Sequence, residues 1–130
     1  MQQTSIAGIG VDTVEIARVV KACRRPHFIN RIFTEEEQKQ FDSEMRRAAS
    51  DFAGKEAVVK VFGTGFNGVE AGEIAILRKE NGAPYVKLTG KALALARRLE
   101  IAQIQISITN TDELATAFAV GVRKEGECQN

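Results

Sequence analysis

Between Met45 and Phe62 the apolar positions keep helical spacing. At about 100° per residue, Met45, Ala48, Ala49, Phe52, Val59 and Phe62 gather into one stripe, which predicts a long helix ending in Gly63-Thr64-Gly65. Upstream, residues 5–11 (SIAGIGV) form a short apolar run with two glycines, which predicts a buried strand that ends at Asp12. Residues 13–23 then read as a helix with Ile16, Val20 and Cys23 on one side, broken by Pro26. Residues 28–33 make a connection or a short helical turn. Thr34-Glu35-Glu36-Glu37 opens a further helix with acids in its first turn, where the dipole favours them, and Phe41 is its clearest buried anchor. After a loop over 67–72, residues 73–79 and 84–89 read as strands joined through Asn81-Gly82, a strong hairpin signal. An Ala/Leu-rich helix from Thr89 or Gly90 to Glu100 turns Leu93, Ala96 and Leu99 inward. Residues 103–110 alternate with period two, and 114–122 are apolar enough for a last strand covered on both faces. This order predicts an α+β fold, a mainly antiparallel sheet around one long central helix.

Composition narrows the class. A chain of 130 residues is expected to be one domain, residues 1–130, with its own core but small enough to gain from oligomerisation. Net charge +1 with 27% charged residues suits neither a nucleic-acid binder nor a disordered tail. No apolar run approaches the ~18 residues of a membrane span, and MQQTSIAG lacks a signal-peptide core, so a cytoplasmic protein with no membrane partner is expected. Cys23 and Cys128 are far apart and expected to be free thiols. His27 is the only histidine, which excludes His-based zinc sites and Ser-His triads; any metal must be hard and held by oxygen.

The candidate chemistry sits on the long helix. Glu56 falls at the edge of the apolar stripe, and Lys60 lies one turn on, along the same flank. A carboxylate beside a buried stripe needs a partner, a proton or a metal. Gly63-Thr64-Gly65 supplies flexible backbone that can approach a phosphate closely. The same residues also read more simply. Glu56 and Lys60 make an i, i+4 surface pair worth roughly 0.2–0.5 kcal/mol, and Gly63 can be the left-handed residue that ends the helix. Asp12-x-x-Glu15 likewise fits a capping box. Arg18, Lys21 and Arg25, continued by Arg24, form a basic ridge that is either a solvated face or a match for an acidic partner helix.

Taken together, Gly8-Ile9-Gly10-Val11-Asp12, Glu15-Ile16-Ala17-Arg18, Phe33-Thr34, Phe52-Ala53-x-Lys55-Glu56-Ala57-x-x-Lys60, Gly63-Thr64-Gly65, Gly82-x-Pro84 and Ile106-Ser107-Ile108-Thr109 resemble holo-acyl-carrier-protein synthase. This is the short bacterial class of 4′-phosphopantetheinyl transferases, and the resemblance spans roughly residues 6–122. It implies transfer of the phosphopantetheine arm of coenzyme A to a serine of apo acyl carrier protein, with release of adenosine 3′,5′-bisphosphate. It also implies Mg²⁺ held by Asp12 and Glu56, with Lys60 neutralising or protonating the leaving phosphate. Gly63, Thr64, Gly65, Pro84, Thr109 and Asn110 would contact coenzyme A. Arg18 would dock the carrier, with Lys21 and Arg25 beside it. The serine proton would go to Glu56 or to a metal-bound water. A homotrimer with active sites between subunits, cytoplasmic and serving fatty-acid synthesis, completes the expectation; whether the acceptor is a fatty-acid or a polyketide carrier stays open.

Two positions depart from the family. Asp51 stands where arginine is usual, and Asn110 follows Ile-Ser-Ile-Thr where histidine is common. Both family residues belong to the nucleotide side of the pocket. Weaker coenzyme A binding is therefore expected unless Arg46 or Arg47 compensates, with a gain of affinity in Asp51→Arg. The departures also suggest an alternative, a coenzyme A or carrier-protein binding module without turnover.

Overall fold

A computed structural model describes residues 5–42 and 44–124. Along them run β1 (Ile6–Glu15), α1 (Ile16–Ala22), α2 (Pro26–Ile32), α3 (Glu35–Lys39), α4 (Arg46–Phe62), a 3₁₀ turn (Ala71–Glu73), β2 (Ile74–Arg78), β3 (Pro84–Leu88), α5 (Gly90–Arg98), β4 (Ile101–Asn110) and β5 (Leu114–Arg123). The strands form two antiparallel sheets, a three-stranded one in the order β1-β5-β4 and the β2-β3 hairpin. The architecture is α+β with antiparallel sheets.

The long helix α4 is buried most of the way round, not along a single stripe. Small residues make this possible. Ala53 and Ala57 carry no exposed surface and belong, with Val58, Ile74, Ile76, Ala117 and Ala119, to one apolar cluster. A second cluster joins α1 and α2 to the first turns of α4 through Ile16, Val19, Phe33, Ala48 and Ala49. Met45 is exposed and Phe52 only half-buried, so the inward face is not centred where the spacing of the aromatic residues puts it. The centre lies instead on the face carrying Asp51, Lys55, Val58 and Phe62, all buried.

Lys55 fixes that face. Its Nζ donates to Glu37 Oε1 at 2.8 Å, to the Ala71 carbonyl at 2.9 Å and to the Ile74 carbonyl at 2.7 Å, which uses all three ammonium donors. Glu37 closes a capping box with Thr34 and takes the Ile76 N–H on its other oxygen at 2.9 Å. Neither side chain has exposed surface. Fully hydrogen-bonded pairing is what makes two buried charges tolerable.

Several expected boundaries move. β1 does not stop at Asp12: Thr13, Val14 and Glu15 continue the ladder opposite Thr116, Ala115 and Leu114, and Ile16 N–H donates to the Glu113 carbonyl at 2.8 Å. The Asp12/Glu15 capping box therefore does not form; Glu15 is the N-cap of α1 and makes no side-chain cap bond. Pairing with β5 satisfies more backbone than a local cap would. β1 and β5 are each covered on one face only. Ile9 is 60% exposed and Phe118 45%, with Val11 and Leu114 also open. Residues 26–32 form a true helix with Pro26 in its first turn, which puts exposed His27 on a helix rather than in a connection. Leu99 follows the end of α5 and is exposed. Cys23 is a buried free thiol whose proton affinity burial raises; Cys128 lies outside the described residues.

Candidate active site

Two glycines on β1 set the site. A Cβ on Gly8 would overlap the Val61 carbonyl oxygen, and one on Gly10 the Ala57 carbonyl oxygen while lying 2.9 Å from Lys60 Cβ. Their absence lets α4 rest directly on the strand backbone. Gly10 and Asp12 stand opposite Ala119 and Ala117, both buried beneath α4, and residues directly opposite share a face. Asp12 is thereby turned toward the helix flank that carries Glu56 and Lys60.

The contacts there are specific. Lys60 Nζ donates to Asp12 Oδ1 at 3.2 Å and to the Val11 carbonyl at 2.9 Å. Its ion pair is with Asp12 across two elements, and no Glu56–Lys60 ion pair is made among the described residues, so the simple i, i+4 account of this lysine falls. Glu56 is half-buried. Burial raises its carboxyl above the ordinary range, the Asp12 charge raises it further, and Lys60 acts the other way. Asp12 and Glu56 are therefore close enough to repel, and a cation between them would remove that repulsion. The donor set suits a hard dication. It offers two carboxylates with no imidazole or thiolate, and among the described residues no third side chain joins to complete a cage. Phosphate oxygens and water would hold the rest of a Mg²⁺ shell.

Beyond the end of α4, Gly63 is the left-handed residue that terminates the helix (φ 79°), and its N–H is engaged by the Val59 and Lys60 carbonyls. It is not a free phosphate donor. The backbone N–H groups of Thr64, Gly65 and Phe66 take no backbone partner among the described residues, and the Thr64 hydroxyl donates to the Gly65 carbonyl at 3.0 Å. This exposed turn begins one helical turn beyond Lys60, after Gly63.

Pro84 and Asn110 belong to a different place. They line a hollow with Arg46, Arg47, Ser50 and Arg78, and Asn110 Nδ2 donates to Ser50 Oγ at 2.8 Å. Thr109 lies on the opposite face of β4, because successive strand residues alternate; it stands opposite Thr116, which hydrogen-bonds Thr13 at 2.9 Å. Arg18 and Lys21 project from α1, Arg25 caps α2, and all three are exposed; Arg18 makes a 3.7 Å ion pair with Glu15.

Asp51 does not leave the pocket short of a cation. Its side chain is fully buried, Arg78 Nη1 lies 2.8 Å from its Oδ1, and Gln40 Nε2 donates to Oδ2 at 3.3 Å. Position 51 faces the interior, and the positive charge comes from β2 instead. An arginine at 51 would set a third cation against Arg78 and Lys55 in the interior, so the gain expected for Asp51→Arg does not follow. Sequence reasoning missed Glu37, Lys55 and Arg78. The available signal was the i, i+4 spacing of Asp51 and Lys55, in line with Val58 and Phe62.

Comparison with known proteins identifies the family. The family model of the 4′-phosphopantetheinyl transferase superfamily matches residues 8–119. A holo-[acyl-carrier-protein] synthase of Lachnoclostridium phytofermentans is 53% identical over 116 residues, covering 89% of this chain and 95% of that protein. Among solved structures, the holo-[acyl-carrier-protein] synthase of Neisseria meningitidis superposes with a TM-score of 0.81 at 30% identity, covering 91% of this chain and 99% of that one. The Helicobacter pylori synthase, solved in complex with coenzyme A, gives 0.76 at 26% identity over 87% of this chain and 98% of that one. With the glycine-backed strand, the acid pair and the αL-terminated helix all inside the matched span, the chain belongs to the holo-acyl-carrier-protein synthase family of the 4′-phosphopantetheinyl transferase superfamily.

Proposed function

We propose that this chain transfers the 4′-phosphopantetheine arm of coenzyme A to a serine of an apo acyl carrier protein, with Asp12, Glu56 and Lys60 at the reacting centre. One observation carries the proposal: β1 and α4 meet through Gly8 and Gly10, which sets Asp12 beside Lys60 and within electrostatic reach of Glu56. In the reaction the serine hydroxyl attacks the phosphorus nearer pantetheine. The bond from that phosphorus to the bridging oxygen breaks, adenosine 3′,5′-bisphosphate departs with the electron pair, and the serine proton passes to Glu56 or to water. Mg²⁺, when bound by Asp12 and Glu56, supplies neutralisation of the diphosphate charge. Lys60 holds an ammonium over Asp12 with half its side chain in solvent, placed to offset charge on the leaving phosphate. The open N–H groups of Thr64, Gly65 and Phe66 offer neutral donors to phosphate oxygens.

The basic ridge of Arg18, Lys21 and Arg25 serves the carrier, whose acidic surface would be drawn in by long-range attraction that salt weakens. The working form is a cytoplasmic homotrimer of single-domain chains acting in fatty-acid synthesis. Two facts support parts of this: no helix among the described residues is long and apolar enough to cross a membrane, and β1 and β5 leave apolar side chains in the open.

The test mixes the protein with apo carrier, coenzyme A and Mg²⁺ and weighs the carrier by mass spectrometry. Wild type adds the phosphopantetheine mass; a protein that only binds coenzyme A or the carrier adds nothing. Glu56→Ala is expected to abolish transfer while leaving the melting temperature nearly unchanged, since the side chain is half-exposed and makes no hydrogen bond among the described residues. Normal turnover in that variant removes Glu56 from the centre.

A further inference from the structure

Glu56 has no tether of its own. Its half-buried carboxylate makes no hydrogen bond among the described residues, so its place beside Asp12 is decided by how α4 sits on the fold. Toward β1 the helix rests on Gly8 and Gly10 through the Val61 and Ala57 carbonyls, backbone against backbone with no side chain between. Such a contact fixes the depth of the helix and leaves it free to roll about its axis. Side chains lie about 5–6 Å from a helix axis, so a roll of about 15° carries a carboxylate about 1.5 Å.

The stop against that roll is the neighbouring residue. Lys55 enters the interior, where its Nζ reaches three separate elements: Glu37 Oε1 on α3 at 2.8 Å, the Ala71 carbonyl in the 3₁₀ turn at 2.9 Å and the Ile74 carbonyl at the start of β2 at 2.7 Å. The buried Phe33 ring, its centroid 5.3 Å from Nζ, closes over the ammonium. Glu37 is itself tied to β2 through the Ile76 N–H. Arg46 and Asp51 make polar ties in the first two turns of α4; Lys55 is the tie that adjoins Glu56.

We propose that Lys55 is a positioning residue: its clamp to α3, the 3₁₀ turn and β2 fixes the roll of α4 and holds Glu56 where it and Asp12 can share a divalent ion. The inference rests on the reading of Asp12 and Glu56 as a metal pair. With all three ammonium donors used inside the fold, Lys55 acts only through Glu56.

Mn²⁺ stands in for Mg²⁺ in the test. Its free-ion EPR signal reports binding with coenzyme A present and the carrier omitted, so that nothing turns over. Lys55→Met keeps the reach of the side chain, removes the clamp and strands the Glu37 carboxylate, so its Tm is expected to fall. Lys55→Met/Glu37→Gln removes both charges and should regain most of that Tm, yet bind Mn²⁺ roughly tenfold or more weakly than wild type, the range for partners that orient a metal ligand. Its kcat for transfer should drop on the order of a hundredfold, the effect of a displacement of about 1 Å, with KM for the carrier nearly unchanged. Glu37→Gln alone keeps an oxygen for Lys55 and should lose Tm while holding wild-type Mn²⁺ affinity. A double variant that regains its Tm and binds Mn²⁺ like wild type confines Lys55 to stability and overturns the proposal. Should the double variant not fold, Glu37→Gln carries the test: affinity kept at a lower Tm supports the clamp, and affinity lost along with Tm overturns it. Glu56→Ala in the same titration separates the two readings. Wild type that binds Mn²⁺ no better than Glu56→Ala removes the metal pair and this inference with it; loss in Glu56→Ala but in neither Lys55 variant removes this inference alone.

Discussion

Asp51 is a carboxylate with no exposed surface, and the arginine beside it does not fully offset its burial. Loss of solvation pushes its pKa up to about 7, against the opposing pull of Arg78 and Lys55 and with a small contribution in the same direction from Glu37. In the unfolded chain the group has the ordinary value of 3.8. Between those values the folded protein holds a proton that the unfolded one has lost. Its contribution to stability is therefore fully present below about pH 4 and is lost as pH rises through about 7, on the order of 4 kcal/mol in the limit. Urea unfolding at pH 5 and pH 8 should show that slope in wild type and a shallower one in Asp51→Asn. Equal slopes would mean that Asp51 titrates normally. At this scale the site was only half legible. Glu56 and Lys60 stand out in the sequence because an acid and a base at the edge of an apolar stripe demand explanation; Asp12 stands out only through the family resemblance, since locally it reads equally as a helix cap. Asp51, Lys55 and Glu37 do not, because charged residues are ordinarily read as solvent-facing. Only the packed structure shows that Lys55 pairs with Glu37, 18 positions back, and that Glu37 takes the Ile76 N–H, 39 positions on.

Among the elements, the contact of β1 with α4 positions the proposed reacting centre, and backbone bulk sets its spacing. Gly10→Ala would drive a Cβ into the Ala57 carbonyl and crowd Lys60 Cβ, neither of which a side-chain rotation can relieve. The strand and helix must part, which typically costs about 1–3 kcal/mol and moves Asp12 away from Lys60 and Glu56. The expected result is a lower melting temperature together with a much larger loss of transfer and of Mg²⁺ dependence. Wild-type activity in Gly10→Ala would mean that the interface adjusts without disturbing the acids. The elements themselves were largely predictable from periodicity: the long helix, the Asn-Gly hairpin and the alternating β4 all appear close to where their patterns place them. The end of β1 was not. Asp12-x-x-Glu15 is a plausible cap locally, and it yields because Thr13 to Glu15 find partners on β5 about a hundred residues later, which no local pattern reveals. That extension is what places Asp12 inside a ladder, held rigidly, rather than at a frayed helix start.

At the scale of the whole molecule, two features point beyond one chain. The acid pair lies with β1 at one edge of the three-stranded sheet, while the arginine hollow lies with β4 at the other, with α4 packed across the strands between them. The face of that sheet turned away from α4 carries Ile9, Val11, Leu114 and Phe118 in the open, an apolar surface of the kind that marks an interface. A homotrimer packed through this face would bury those side chains and bring the acid edge of one protomer toward the arginine edge of the next, so that one coenzyme A could span both. Phe118→Glu tests the arrangement because Phe118 makes no part of the core beneath α4, and the isolated chain should tolerate the change. Sedimentation equilibrium is expected to give three times the chain mass for wild type and a single chain mass for Phe118→Glu. Circular dichroism should be unchanged, and transfer of the phosphopantetheine arm should be lost under the proposal that each active site is shared between subunits. A variant that stays trimeric would place the interface elsewhere, and a monomer with full activity would confine both halves of the site to one chain.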